Sequence, residues 1–222
     1  MILDYFFYLK AFKKLIITIT IMQKFTIRKK VILAQDICYM EVYAPRVARA
    51  FKPGQFIIAQ VDNKSERIPL TIMDIDESKS YVSIVIQGIG PSTKKINSLE
   101  AGQNFSHFVG PLGNPSEILN LSQEEILHKK FLFIAGGIGA APIYPQVKYL
   151  YDMGNEPDII LGARDKSLII LRDELSKICK NLFITTNDGS EGAKGLVTDM
   201  LKQLLETQKL KYDFIITIGP MI

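Results

Sequence analysis

The sequence predicts two architectures in one chain: an all-β antiparallel barrel over residues 22–113, then an α/β domain with a Rossmann-like parallel sheet over residues 130–222. Three observations lead there. The first part reads as short strands of period two, broken by Pro, Gly and Asp turns. The second part alternates short apolar runs with helical segments, the pattern of a parallel sheet covered on both faces. At the join of its first strand and first helix lies Ala135-Gly136-Gly137-Ile138-Gly139-Ala140-Ala141-Pro142, a glycine turn.

Residues 1–21 are rich in Phe, Tyr, Leu and Ile, but Asp4, Lys10, Lys13 and Lys14 interrupt them. The uncharged stretch at 15–23 is short of the ~20 residues a membrane helix needs. No small-residue cleavage site follows. The segment reads as a leader outside the fold, with Met22 a natural start and a membrane anchor as the alternative. In the barrel, Cys38, Met40 and Val42 alternate with Tyr39, Glu41 and Tyr43, as in a half-buried strand. Pro53-Gly54-Gln55 turns into a strand at 56–61, and further strands are expected at 68–74, 81–87 and 104–109. No helix is expected before Ser92, where residues 92–99 plug one end of the barrel.

Residues 114–129 connect the two parts and carry a short polar helix at 122–128. Strands at 131–135, 159–162, 182–186 and 214–218 then alternate with helices at 142–152, 171–180 and 197–207.

Composition excludes some classes of function. The chain has 222 residues, 47% apolar and 23% charged, with a net charge of +4. Those are ordinary values for a soluble globular protein. No lysine or arginine run is interleaved with aromatics, so no nucleic-acid partner is expected. Cys38 and Cys179 lie far apart and form no Cys-x-x-Cys pair, which suits reduced packing thiols in a cytoplasmic protein.

A glycine turn after a buried strand lets backbone approach a pyrophosphate, and the helix that follows offers unpaired N–H groups. Gly137-x-Gly139 meets that need, Ala141 stands where the usual fingerprint has a third glycine, and Pro142 suits a first helical turn. A nicotinamide dinucleotide is the expected ligand of this turn; a merely tight strand–helix turn is the alternative. Tyr144 and Lys148 mimic the acid/base pair of a short-chain dehydrogenase, but they sit inside the helix that the turn opens and read as a helical face. Neither His107 nor His128 has a companion at ligand or triad spacing, and no metal site is expected. That suits redox chemistry in which cofactors carry the reactive atoms.

Several ordered stretches carry a resemblance: Ala44-Pro45-Arg46-Val47-Ala48, Phe51-Lys52-Pro53-Gly54-Gln55-Phe56, Arg67-Ile68-Pro69-Leu70-Thr71, Gly110-Pro111-Leu112-Gly113, and Gly136 through Pro142. From about Met22 to its end the chain resembles the ferredoxin–NADP reductase superfamily. Within that superfamily it is most similar to two groups. One is the electron-transfer subunits of dihydroorotate dehydrogenase. The other is the sulfide dehydrogenase small subunits, also described as alpha subunits of NADH-dependent reduced ferredoxin:NADP oxidoreductase.

The resemblance implies FAD in the barrel and NAD(H) or NADP(H) on the sheet, with NAD(H) favoured by the most similar groups. It places Pro69, Leu70 and Thr71 along the isoalloxazine, with the Thr71 hydroxyl near flavin N5. Val85, Ile86 and Gln87 run along the ribityl and adenosine end, and Gly90, Ser92 and Thr93 hold the FAD pyrophosphate. The wider family has an arginine where Ile68 stands, so Arg67 is either a phosphate ligand or a surface arginine. Gly136, Gly137, Gly139, Ala140, Ala141 and Pro142 match the nicotinamide pyrophosphate turn. Ala163 and Arg164, Asp188 and Gly189, and Gly219 and Pro220 close the following strands, where open α/β sheets bind ligands.

Matching proteins continue through a last strand into a cysteine-rich tail that holds a [2Fe-2S] cluster. Such a cluster needs four thiolates, and this sequence has two cysteines. The sequence is therefore expected to be a truncated member. In full form it would be an FAD-dependent oxidoreductase subunit that moves electrons from NAD(P)H, through the cluster, to a larger catalytic flavoprotein subunit. A ferredoxin-like protein is a further expected acceptor, and no membrane partner is expected. The alternatives are a dedicated dihydroorotate dehydrogenase electron-transfer subunit and a non-catalytic remnant or assembly module.

Overall fold

The computed structural model describes residues 24–76, 78–207 and 209–219. The expected leader and Pro220 lie outside the described residues. The first part holds β1 (Ile27–Ala34), β2 (Ile37–Tyr43), α1 (Pro45–Ala50), β3 (Phe56–Gln60), β4 (Ile68–Ile75), β5 (Tyr81–Gln87), α2 (Pro91–Asn97) and β6 (His107–Leu112). The six strands form one antiparallel sheet in the order β1-β2-β5-β4-β3-β6.

The sheet curls until its edges meet. Ile27 at the start of β1 exchanges two backbone hydrogen bonds of 2.8 Å with the turn before β6, through Gly102 and Gln103. A bridge between Thr26 and Asn104 lies beside them. Alternation then fills the interior: Met40, Val42, Ile57, Ala59, Ile72, Val82 and Ile84 have no exposed surface. Ile96 of α2 plugs this core, the role expected for that helix.

Two details depart from the sequence reading. Helix α1 precedes the first expected helix; at six residues it is too short to show a period, and Pro45 begins it where a proline costs no hydrogen bond. Strand β6 begins at His107, because Asn104 contributes only the bridge to Thr26.

The second part holds α3 (Gln123–His128), β7 (Phe131–Gly136), α4 (Ala140–Asp152), β8 (Asp158–Ala163), α5 (Arg172–Ser176), β9 (Asn181–Thr186), β10 (Ala193–Lys194), α6 (Val197–Lys202) and β11 (Phe214–Ile218). Ser122 caps α3, accepting from the Glu125 N–H at 3.2 Å while Glu125 accepts from the Ser122 N–H at 2.9 Å. The expected helix at 171–180 shrinks to α5, since Leu171 is left-handed with φ 57°.

All five strands of the second sheet are parallel, in the order β10-β9-β8-β7-β11. The chain steps outward from β7 through β8 and β9, then returns to place β11 on the other side of β7. The topological switch point therefore lies between β7 and β11, beside the glycine turn.

The two parts share a core. Ile37, Met73 and Val85, on the outer face of the barrel, join one apolar cluster with Phe131 and Phe133 of β7 and Ile143, Val147 and Leu150 of α4. Ile118 and Ile126 from the connecting residues belong to the same cluster. A continuous apolar interface of this kind opposes independent domain motion. Among the described residues no helix is long and apolar enough to cross a membrane.

Candidate functional site

Strand β4 is built in two halves. Its first half, Ile68 to Thr71, pairs with β3 alone, while pairing with β5 begins at Ile72. Correspondingly Val85, Ile86 and Gln87 of β5 pair with β2 and not with β4. The two strands part there, leaving a slot between Thr71 and Val85. Pro69 is tolerated inside the strand because nothing needs its missing donor on the open side.

The slot opens into a cleft of about 810 Å³. Pro69, Leu70, Thr71, Val85 and Gln87 line it from the barrel. Gly136, Gly137, Gly139, Ala141, Pro142, Ala163, Arg164 and Gly219 line it from the carboxyl ends of the parallel strands. Flavin-strand and nucleotide-turn residues, some sixty positions apart in sequence, thus face the same space.

Other expected site residues lie away from that space. Ile86 points into the barrel core at 1% exposure, and Ala140 is buried under the turn. Thr93 Oγ1 accepts from the Gly90 N–H at 3.0 Å, so its hydroxyl caps α2. The Ser92 hydroxyl donates to the Glu66 carboxylate, and Arg67 is exposed beside it. Asp188 and Gly189 are exposed in the loop after β9, where Asp188 accepts from the Ser190 N–H at 2.9 Å.

The cleft floor is a row across three strands. Gly136, Gly162 and Thr185 are paired neighbours in the parallel register. Gly219 extends the row, since a Cβ on it would lie 3.4 Å from the Gly136 Cα. Thr185 Oγ1 is fully buried and makes no hydrogen bond, although its residue lines the cleft. Gly162, Thr185 and Ile89 escaped the sequence reading. Alternation along β8 and β9 would have found the first two, whereas Ile89, 76% exposed at the cleft mouth, carries no such signal.

Charge gathers at the β8 and β9 ends. Arg164 Nε lies 3.6 Å from Asp165 Oδ2. Hydrogen bonds from Ser167 hold the Asp165 carboxyl below the usual carboxylate range, and those from Ser190 do the same for Asp188. Two ionised acids therefore stand near one exposed arginine. Among the described residues no group of three His, Cys, Asp or Glu side chains could hold a metal ion.

No family model matches the chain. It is 36% identical over 194 residues to a protein of Thermotoga maritima described as a dihydroorotate dehydrogenase B (NAD(+)), electron transfer subunit homolog, a match over 87% of this chain and 65% of that one. It is 31% identical over 199 residues to the dihydroorotate dehydrogenase B (NAD(+)), electron transfer subunit of Fusobacterium nucleatum, covering 88% of this chain and 74% of that one. Among solved structures, it matches a chain of an NADH-dependent reduced ferredoxin-NADP oxidoreductase with a TM-score of 0.80 and 35% identity, covering 90% of this chain and 68% of that one. The chain thus spans about two thirds of the length of the relatives it matches.

Proposed function

Because the chain belongs to the family of dihydroorotate dehydrogenase B electron transfer subunits, we propose that it is the flavin-bearing, NADH-oxidising part of such a subunit. In this reading it takes hydride from NADH onto FAD and hands electrons to a larger catalytic flavoprotein subunit. The observation that carries the reading is the common cleft: the β4/β5 slot and the switch-point turn open onto one space of about 810 Å³.

The residues present fit both cofactors. The slot offers a flat ring a place between Thr71 and Val85 where no ladder hydrogen bond must be broken. The glycine row lets a dinucleotide approach the strand ends, and the orphaned Thr185 hydroxyl is a buried group in want of a partner. When bound, flavin accepts an electron pair from dihydronicotinamide and releases it one electron at a time.

Each side chain has a part in this. Pro69 and Leu70 exclude water from one ring face, while Thr71 presents a hydroxyl to the ring nitrogen that receives hydride. Val85 and Gln87 flank the chain that leads to the FAD phosphates. Gly90, Ser92 and Thr93 offer backbone N–H groups to those phosphates, because the two hydroxyls are already engaged. Gly137 and its neighbours seat the nicotinamide pyrophosphate. Asp165 and Asp188 oppose an added 2′-phosphate beside Arg164, which supports NAD(H) over NADP(H).

The sequence does not fit a [2Fe-2S] cluster. Four thiolates are required. Cys38 lies in the barrel core and Cys179 packs beside the second sheet, and there are no other cysteines.

The partner has two candidates, each with support. The solved relative at TM-score 0.80 favours a ferredoxin-NADP oxidoreductase partner, and the Fusobacterium relative favours a dihydroorotate dehydrogenase. FAD titration into the purified chain, followed by quenching of flavin fluorescence, tests the cofactor reading. Saturation at one FAD per chain is expected. Folded protein that quenches no FAD contradicts it.

A further inference from the structure

Alternation along β4 breaks at one place. Ile72 pairs with Ile84 and points into the barrel core, and Ile75 pairs with Val82 and does the same. Two residues, Met73 and Asp74, stand between them where strict alternation from Ile72 allows one outward residue before the next inward one. The register shift between Ile72 and Asp74 is a β-bulge. It turns both residues to the outer face, toward α4. Met73 enters the shared core at 4% exposure. Asp74 receives the Lys148 ammonium on both oxygens, at 2.8 and 2.9 Å.

The two elements so joined are the ones that build the cleft. Asp74 lies three residues beyond Thr71, about 10 Å along the strand. Lys148 lies eight residues beyond Ala140, where α4 leaves the glycine turn, about 12 Å along the helix. Strand and helix diverge from the cleft and are pinned to each other at their far ends. The apolar contacts of the shared core are non-directional and permit sliding, whereas an ammonium held between two carboxylate oxygens fixes position along both axes. The pair is partly sheltered, with side-chain exposures of 38% for Lys148 and 25% for Asp74. Partial burial opposes the Lys148 charge, but the Asp74 hydrogen bond and charge outweigh it and raise the lysine pKa.

We propose that Asp74 and Lys148 are a positioning pair, presented by the β4 bulge, that sets the flavin strand against the nucleotide helix and so the approach of nicotinamide to flavin. The proposal rests on the FAD and NADH reading above. Hydride passes only across a contact of about 3–3.5 Å, and a misplacement of about 1 Å can cost about 100-fold in rate. A pin remote from the chemistry can therefore govern its speed without touching either cofactor.

The test uses Lys148→Met, which keeps the aliphatic stem, and the charge-swapped pair Asp74→Lys with Lys148→Asp. Hydrogen exchange of the cofactor-free chain gives the first readout. Lys148→Met is expected to speed exchange of the α4 and β4 amides, and the swap to restore protection. The second readout is the limiting rate at which NADH reduces bound FAD under anaerobic conditions. A fall of about 10-fold is expected in Lys148→Met, with FAD retention and the NADH concentration dependence unchanged and the rate recovered in the swap. A parent chain reduced by NADH, beside a Lys148→Met variant of equal limiting rate, overturns the positioning role alone. A parent that binds FAD but is never reduced by NADH overturns the proposed function, and the positioning role with it.

Discussion

Gly139 packs its Cα against the carbonyl of Ile218, so closely that a methyl group on Gly139 would overlap that oxygen. The second glycine of the turn is therefore required by the joint between the turn and the end of β11. Gly137 is different: its φ is +54°, and a Cβ there would meet nothing within 4 Å. Its open side is the space assigned to the pyrophosphate.

The two glycines should accordingly fail in different ways. Gly139→Ala is expected to lower stability by about 1–3 kcal/mol, because backbone must move to admit the methyl. Gly137→Ala should cost about 1–2 kcal/mol for its left-handed backbone. It should also weaken NADH binding about tenfold or more. Thermal unfolding and NADH titration of both variants check this; equal NADH affinity in Gly137→Ala and the parent would move the pyrophosphate elsewhere.

Thr185→Val should stabilise the cofactor-free chain by about 1 kcal/mol, since it removes a buried hydroxyl that has no partner. Urea unfolding measures it. A clear loss of stability would mean that the hydroxyl is satisfied in solution.

Thr71→Val removes the hydroxyl proposed to meet flavin N5 while keeping the side chain's shape in the slot. FAD retention should hold, and the rate of reduction by NADH should fall about 100-fold, the low end for a group aimed at a reacting centre. Loss of FAD in this variant would assign Thr71 to binding instead.

Burial pushes the Cys38 and Cys179 thiols up to about 11. Alkylation of the native chain should therefore be slow at neutral pH and keep accelerating as pH climbs toward that value. The folded chain holds protons that the unfolded chain releases at lower pH, so stability contributed by these thiols declines as pH rises from the ordinary thiol range toward 11. Mass spectrometry of alkylated protein across pH reads the first effect. Rapid labelling of Cys38 near neutrality would contradict its buried setting beside Asn97 Oδ1, at 3.1 Å.

Much of the fold was legible because its signals are periodic. The β5 and β11 bounds follow directly from apolar runs closed by Gln87 and Gly219. Helix α1 escaped because six residues hold less than two turns. The site was legible where a motif is local, as at Gly136 to Pro142, and where Pro69-Leu70-Thr71 carries a family resemblance. It was not legible where geometry comes from pairing. The parting of β4 from β5, the bulge that turns Asp74 outward, and the row that joins Gly136, Gly162 and Thr185 are properties of register between distant segments. Lys148 shows the same limit: its spacing from Tyr144 marks a helical face, but its partner lies 74 residues earlier.

Anaerobic addition of NADH to the FAD-loaded chain tests the central claim most directly. If the β4/β5 slot and the switch-point turn bring flavin and nicotinamide together, the oxidised-flavin absorption band bleaches by one equivalent per NADH, and Gly137→Ala slows the bleaching. A chain that holds FAD in the barrel, yet whose flavin band stays unchanged at saturating NADH, would contradict the account.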